Sequence, residues 1–158
     1  KGFEVEITAI PFEGLKVNLS LGYLSAKYSD FPYQTGGSIV QLAGTDLQNA
    51  PEWTIMTGFD YTFRVGKGDA RIGATYRYVD EKFNTSLLNT PRATIQATSI
   101  IDANLDWTPE DGSWTIGLWA RNLTDNRYVA SVFDAPGVIG LANLSNPREW
   151  GLTFKIDW

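Results

Sequence analysis

Apolar residues recur at every second position through most of the chain, and the 3.6-residue spacing of an amphipathic helix never takes hold. Alternation with a period of two belongs to strands with one apolar and one polar face, so the chain reads as all-β. The pattern predicts about seven strands, near residues 2–11, 15–29, 51–65, 70–83, 98–108, 114–128 and 147–158. Split by parity, one face collects Val17, Leu19 and Leu21, then Trp53, Ile55, Phe59, Tyr61 and Phe63, then Ile72, Leu105, Trp107, Trp114 and Leu118. It ends in Trp150, Leu152, Phe154, Ile156 and Trp158, and no charge falls on it. The opposite face carries Glu4, Glu6, Lys16, Asp60, Arg71, Arg77, Asp102, Asp106, Arg121, Lys155 and Asp157, with Met56 and Trp119 as its apolar exceptions.

The connections alternate in length. Pro11-Phe12-Glu13-Gly14, Gly66-Lys67-Gly68-Asp69 and Pro109-Glu110-Asp111-Gly112-Ser113 have the composition of tight turns. Between them lie Asp30 to Ala50, Asn84 to Ala97 and Ala130 to Asn146, which are expected to be loops too long for hairpins. In an up-and-down meander every tight turn then falls at one end and every long segment at the other, the asymmetry of a transmembrane barrel. The predicted strands mostly reach ten residues or more, and a strand tilted across a membrane needs about 9 to 11.

Periodicity alone does not fix which face points outward, because a soluble barrel shows the same alternation turned inside out. The largest rings favour the membrane arrangement. Trp53, Trp107, Trp114, Trp150 and Trp158 sit at or near strand ends on the uncharged face, with smaller aliphatics between them, as in an aromatic girdle. A charge on the lipid face at mid-membrane costs about 2 to 4 kcal/mol, which accounts for the lack of charge there. The expected fold is therefore an antiparallel up-and-down transmembrane β-barrel.

Composition removes other classes. Aromatic residues make up 13% of the chain, a load suited to a boundary between water and hydrocarbon. A net charge of -5 without a basic stripe argues against nucleic acid as a partner. The chain has no cysteine and no histidine, so it lacks disulfides, thiolate metal sites and the commonest general base. No apolar stretch approaches the roughly 20 residues of a membrane-spanning helix. The N-terminus has no signal-peptide pattern, and any export signal is expected upstream of Lys1.

Catalytic and metal chemistry finds little support. Asp102, Asn104 and Asp106 copy the opening of a calcium-binding loop, but Trp107 stands where that loop needs glycine and Ser113 where it needs glutamate. They read instead as alternate, same-face residues of one strand. Gly66-Lys67-Gly68 is too short to cradle phosphate. No spacing singles out two of Asp60, Glu81, Asp102 and Asp106 as an acid–base pair. The chain is expected to be no enzyme and to need no cofactor or metal.

Two stretches near the C-terminus carry a family resemblance. Asn122-Leu123-Thr124-Asp125-Asn126-Arg127-Tyr128 resembles the Asn-Leu-Phe-Asp-x-x-Tyr motif of the penultimate strand in TonB-dependent outer-membrane receptors, with Thr124 replacing Phe. The last strand, Glu149 to Trp158, resembles an outer-membrane assembly signal, with Gly151, alternating Phe154 and Ile156, and the terminal aromatic Trp158. Asn49-Ala50-Pro51-Glu52-Trp53 is similar to the same family.

The resemblance implies a parent barrel of about 22 strands with a plugged lumen. This chain would supply about the last seven strands, with the plug absent. It also implies a place in the outer membrane of a Gram-negative bacterium and energy-coupled uptake of a scarce ligand such as a ferric siderophore. The implied partners are outer-membrane lipid, TonB acting through the plug, the barrel-assembly machinery and a small-molecule iron chelate. Ligand contacts in such a receptor fall on loops and upper walls, which makes Tyr33, Gln34, Arg92, Phe133 and Asp134 candidates. Arg77 and Arg121 join them from the charged face, where pairing with carboxylates is the alternative role. A non-transport outer-membrane barrel and a soluble barrel binding an apolar ligand are the other readings.

Overall fold

The computed structural model describes residues 1–83, 94–135 and 139–158, and every regular element in them is a strand. Seven long strands form one antiparallel sheet: β1 (Gly2–Phe12), β2 (Leu15–Leu24), β5 (Trp53–Val65), β6 (Gly68–Val79), β9 (Thr98–Pro109), β10 (Trp114–Arg121) and β13 (Glu149–Ile156). Each pairs with the next long strand along the chain, giving the order β1-β2-β5-β6-β9-β10-β13. The short strands β3 (Pro32–Thr35) and β4 (Ser38–Gln41), β7 (Lys82–Phe83) and β8 (Thr94–Ile95), and β11 (Val129–Ala135) and β12 (Ile139–Leu144) pair among themselves as three ribbons.

The register keeps like with like. One row runs Ala9, Val17, Phe59, Ala74, Ala103, Ala120, Trp150, and the next on the same face runs Leu15, Tyr61, Ile72, Leu105, Leu118, Leu152. Between them, on the other face, lie Lys16, Asp60, Gly73, Asn104, Trp119 and Gly151. A slip by one residue would carry every charge across the sheet. The tight turns join β1 to β2, β5 to β6 and β9 to β10, so they share one end, and the three ribbons rise from the other.

Three expectations change. β2 stops at Leu24 and β10 at Arg121, short of the predicted 29 and 128. After β10 the cause is local: Asn122 and Asp125 take left-handed φ of 49° and 52°, which a strand cannot accommodate. The long connections, expected to be loops too long for hairpins, instead fold back as hairpin ribbons with a pairing register of their own.

The sheet has almost no interior. Among the described residues the buried hydrophobics are Leu42, Ala70, Ile95 and Ile100. Phe59, Leu118 and Phe154 do not converge on a dry core; they stand 37%, 46% and 64% exposed on one uncharged surface. Ile100 is the partner of Arg77 and so belongs to the charged face, beneath the ribbons.

Candidate functional site: the two faces of the wall and its loop end

Rings on the uncharged face gather into two bands. At the loop end Tyr23 packs against Phe3 and Trp53, with centroids 5.5 and 4.8 Å apart. At the turn end the contacts are Phe12 with Tyr61 at 5.8 Å, Tyr61 with Phe63 at 5.1 Å, Trp107 with Trp114 at 5.1 Å and Trp114 with Phe154 at 6.0 Å. Trp53 and Phe63 are ten residues apart on β5, about 33 Å along the strand. At a tilt of about 45° that covers about 23 Å of height, against about 25 Å for the apolar band of a transmembrane barrel.

Across the sheet the loop-end rings step along the strands, whereas the turn-end rings Phe63, Trp107 and Phe154 share one row. Trp150 shares a row with Phe59, which lies six residues nearer the turns than Trp53, and β13 is four strands on from β5. Six residues along the strand are about 20 Å and four strand spacings about 19 Å. A line from Trp53 to Trp150 therefore crosses the strands at about 45°, close to the 35–45° tilt of membrane barrels.

The opposite face is neutralised from within. Asp60 Oδ1 accepts hydrogen bonds from Arg71 Nε and Nη2 at 3.0 and 2.6 Å, and Arg77 Nη2 lies 3.8 Å from Asp102. At the turn end Arg64 pairs with Glu110 at 2.9 Å and Asp69 at 3.4 Å. Half-exposed pairs of this kind contribute about 0 to 1 kcal/mol each, so they balance charge more than they hold the wall. Asp102, Asn104 and Asp106 take alternate positions of β9, where Asn104 Nδ2 donates to Asp106 Oδ2 at 2.9 Å.

Trp119 has a specific seat on this face. Its indole lies over Gly151 of the neighbouring strand, and a Cβ at Gly151 would come within 2.6 Å of Trp119 Cζ2. The Arg121 guanidinium sits 5.4 Å from the centroid of the same ring. In the sequence Trp119 is an exception to the polar pattern; the glycine thirty-two positions later, across a strand pair, is its explanation.

At the loop end one side chain ties several segments together. Asn122 is buried; its Nδ2 donates to the carbonyls of Asn126 at 2.9 Å and Asn146 at 3.2 Å, and its Oδ1 accepts from Asn126 N at 2.9 Å. Its backbone N–H donates to Asp102 Oδ1 at 2.8 Å, and Asn126 Nδ2 donates to Ser99 O at 3.0 Å. Asp125 Oδ1 accepts from Arg148 N at 2.8 Å and from Arg127 Nε at 3.2 Å. The Arg148 N–H first, and then Arg127, hold the Asp125 carboxyl below the ordinary carboxylate range. This knot fixes where β10 ends, where β11 starts and how the chain enters β13.

The candidate ligand residues are spread over this end. Arg77 and Arg121 line one cavity of about 160 Å³ with Asp102, Tyr128 and Glu149. An adjoining cavity of about 280 Å³ shares Arg77, Ile100 and Tyr128 and continues to Lys82 and Gln96. Tyr33 and Gln34 lie on β3, and Phe133, 56% exposed, lies on β11 with Asp134 after it. Those two ribbons share no pairing, and Arg92 lies outside the described residues. Asn122, Asn126 and Tyr128 lie in the run that resembles the Asn-Leu-Phe-Asp-x-x-Tyr motif, but nothing in the sequence shows that Asn122 is the buried tie or that Tyr128 meets Arg77 and Arg121.

The family described as "TonB dependent receptor-like, beta-barrel" matches residues 1–123. The chain belongs to the TonB-dependent receptors. Among solved structures, the ferric yersiniabactin uptake receptor FyuA from Yersinia pestis superposes with a TM-score of 0.82 at 15% identity, over 99% of this chain and 23% of that one. The siderophore receptor PiuA from Acinetobacter baumannii gives 0.77 at 18%, over 98% and 21%, and BauA, the ferric preacinetobactin receptor of the same species, gives 0.74 at 18%, over 99% and 22%. No curated protein matches the chain. The seven-stranded sheet is thus a portion of a TonB-dependent receptor barrel, and the chain spans between a fifth and a quarter of the length of these structures. The family is one of receptors and transporters rather than enzymes.

Two outcomes are expected from this receptor wall. Gly151→Ala should cost about 1 to 3 kcal/mol in unfolding experiments by displacing Trp119, and almost nothing in a Trp119→Ala background. Equal costs in the two backgrounds would show that the ring is not the reason for the glycine. The lowered Asp125 carboxyl stabilises the knot at neutral pH, and that contribution is lost as pH falls below the ordinary carboxylate range. Hydrogen-exchange protection of the Arg148 amide should therefore collapse in acid in the parent protein, and be absent already at neutral pH in Asp125→Ala.

Proposed function

We propose that this chain is the C-terminal segment, residues 1–158, of the barrel domain of an outer-membrane TonB-dependent transporter. Such a transporter takes up a scarce ligand, such as a ferric siderophore, from outside a Gram-negative cell. The observation that carries this reading is the uncharged, exposed face with aromatic rings gathered at both ends, ten residues apart on β5. In water that surface would be a large aggregation liability; in a bilayer it is the lipid contact. The charged face then looks into the lumen.

The ligand is held at the outer end, where Arg77, Arg121 and Tyr128 offer two guanidinium groups and a phenol to an anionic chelate, with the ribbons bearing Tyr33, Gln34, Phe133 and Asp134 above them. Arg92, in the connection between β7 and β8, belongs to the same candidate set. TonB acts on a plug that is not part of this chain. The barrel-assembly machinery receives the last strand, with Gly151, Phe154, Ile156 and Trp158, through its unpaired edge. The three siderophore receptors that share the fold support the ligand class.

The reading is tested in the full-length receptor. Leu118→Arg on the uncharged face should destabilise the folded barrel by about 2 to 4 kcal/mol, whereas Thr75→Arg on the charged face should be close to neutral. A soluble monomer in plain buffer, indifferent to both changes, would remove the membrane assignment. Replacing Arg77 and Arg121 together by Gln should reduce uptake of a ferric siderophore while heat-modifiable mobility of the barrel is retained; unchanged uptake would take the ligand away from these residues.

A further inference from the structure

The uncharged face is not uniformly filled. Ala74, Ala103 and Ala120 stand side by side in one row, with Phe59 at one end and Trp150 at the other. The row on the turn side is bulky throughout, with Ile72, Leu105 and Leu118, and the row on the loop side carries Tyr76 and Ile101. The alanines therefore floor a trough of about 520 Å³ that presents only apolar surface. It is oblique to the bands: the Phe59 end lies deep between them, and the Trp150 end reaches the outer band.

A cation waits at that outer end. Arg148 lies just ahead of β13, two residues before Trp150. Its backbone N–H is held by Asp125 at 2.8 Å, and its Nη1 donates to the carbonyl of Leu123, itself a wall of the trough, at 3.4 Å. Among the described residues the exposed Arg148 guanidinium has no carboxylate in direct contact; it shares the field of Asp125 with Arg127, which is the cation that Asp125 bridges. An apolar trough running out of the hydrocarbon and ending, just past an interfacial tryptophan, at a guanidinium with no direct carboxylate partner matches a molecule with an acyl chain and a phosphate.

The geometry points to a bound anionic membrane lipid, with one acyl chain in the Ala74–Ala103–Ala120 trough and its phosphate on Arg148. The inference rests on the membrane reading above. It is separate from the ligand cavities, which lie on the other face of the sheet. A zwitterionic lipid would fill the trough equally well, so selectivity resides in Arg148.

The full-length receptor, purified in detergent, is incubated with dimyristoylphosphatidic acid or dimyristoylphosphatidylcholine, and retained lipid is counted by native mass spectrometry. Phosphatidic acid should be retained about tenfold better, as one charge-assisted hydrogen bond allows. Arg148→Gln should abolish that preference without reducing retention of phosphatidylcholine. Ala103→Phe, which fills the trough without adding charge, should lower retention of both, and Ala120→Leu serves the same end should the first variant not fold. The site is overturned if Arg148→Gln keeps the preference, or if folded trough variants hold as much lipid as the parent. A receptor that needs no detergent would remove the membrane reading itself; a detergent-dependent, heat-modifiable barrel without selective retention would remove only the lipid site.

Discussion

Where only four hydrophobic side chains are buried among the described residues, side-chain packing cannot be what unites the long strands. The backbone ladder takes that role. Apart from a register shift in β1 between Ala9 and Phe12, the long strands exchange N–H···O=C bonds with their neighbours in continuous register, twelve consecutive pairs between β5 and β6 and twelve between β6 and β9. In hydrocarbon this is decisive, because an unpaired peptide group there costs several kcal/mol and no water is present to take its place. The same constraint leaves β1 and β13, the outer strands of the sheet, with one unpaired edge each. Those edges are where the wall has to continue.

Once the ladder is given, side chains are free to serve each face separately. The uncharged face needs only to be apolar, so its rows can hold alanine beside tryptophan without loss of a core. The charged face can carry arginines and carboxylates at modest cost, since Asp60 with Arg71 and Arg77 with Asp102 are half exposed and pair between adjacent strands. Irregular backbone is confined to the loop end, and there the buried Asn122 satisfies with one amide what a strand would have satisfied with its ladder. The ribbon β11–β12 rises from that knot, so the position of the ribbon depends on one buried asparagine at its base.

The strands and their faces were readable because a period of two persists over ten residues and each tight turn contains glycine. Strand ends were not. The apolar parity lapses at Ser25 and Lys27 after Leu24 and at Asn122, Thr124 and Asn126 after Arg121, but no glycine or proline marks either stop, and the left-handed backbone at Asn122 and Asp125 is visible only in the structure. The ribbons are not legible in the sequence for a related reason: strands of two to seven residues are too short to establish a period, and β3–β4 turns on two glycines that read equally well as a loop. Parity put Arg77 and Arg121 on the charged face, but that they meet around Tyr128 depends on register and on the path of the chain after β10. Gly151 was recognisable by its place in the last strand, whereas its partner ring is visible only once β10 and β13 are aligned.

The two aromatic bands are not equally spaced along the wall. From Trp53 to Phe63 on β5 is ten residues, but from Trp150 to Trp158 at the last strand is eight. At the same tilt these spans are about 23 and about 19 Å. A bilayer matched to both must thin by about 4 Å toward the terminal strand, at a fraction of a kcal/mol per Å of mismatch. Lipid lying against β13 would then be compressed relative to lipid against β5, so one sheet would not present one thickness to a bilayer.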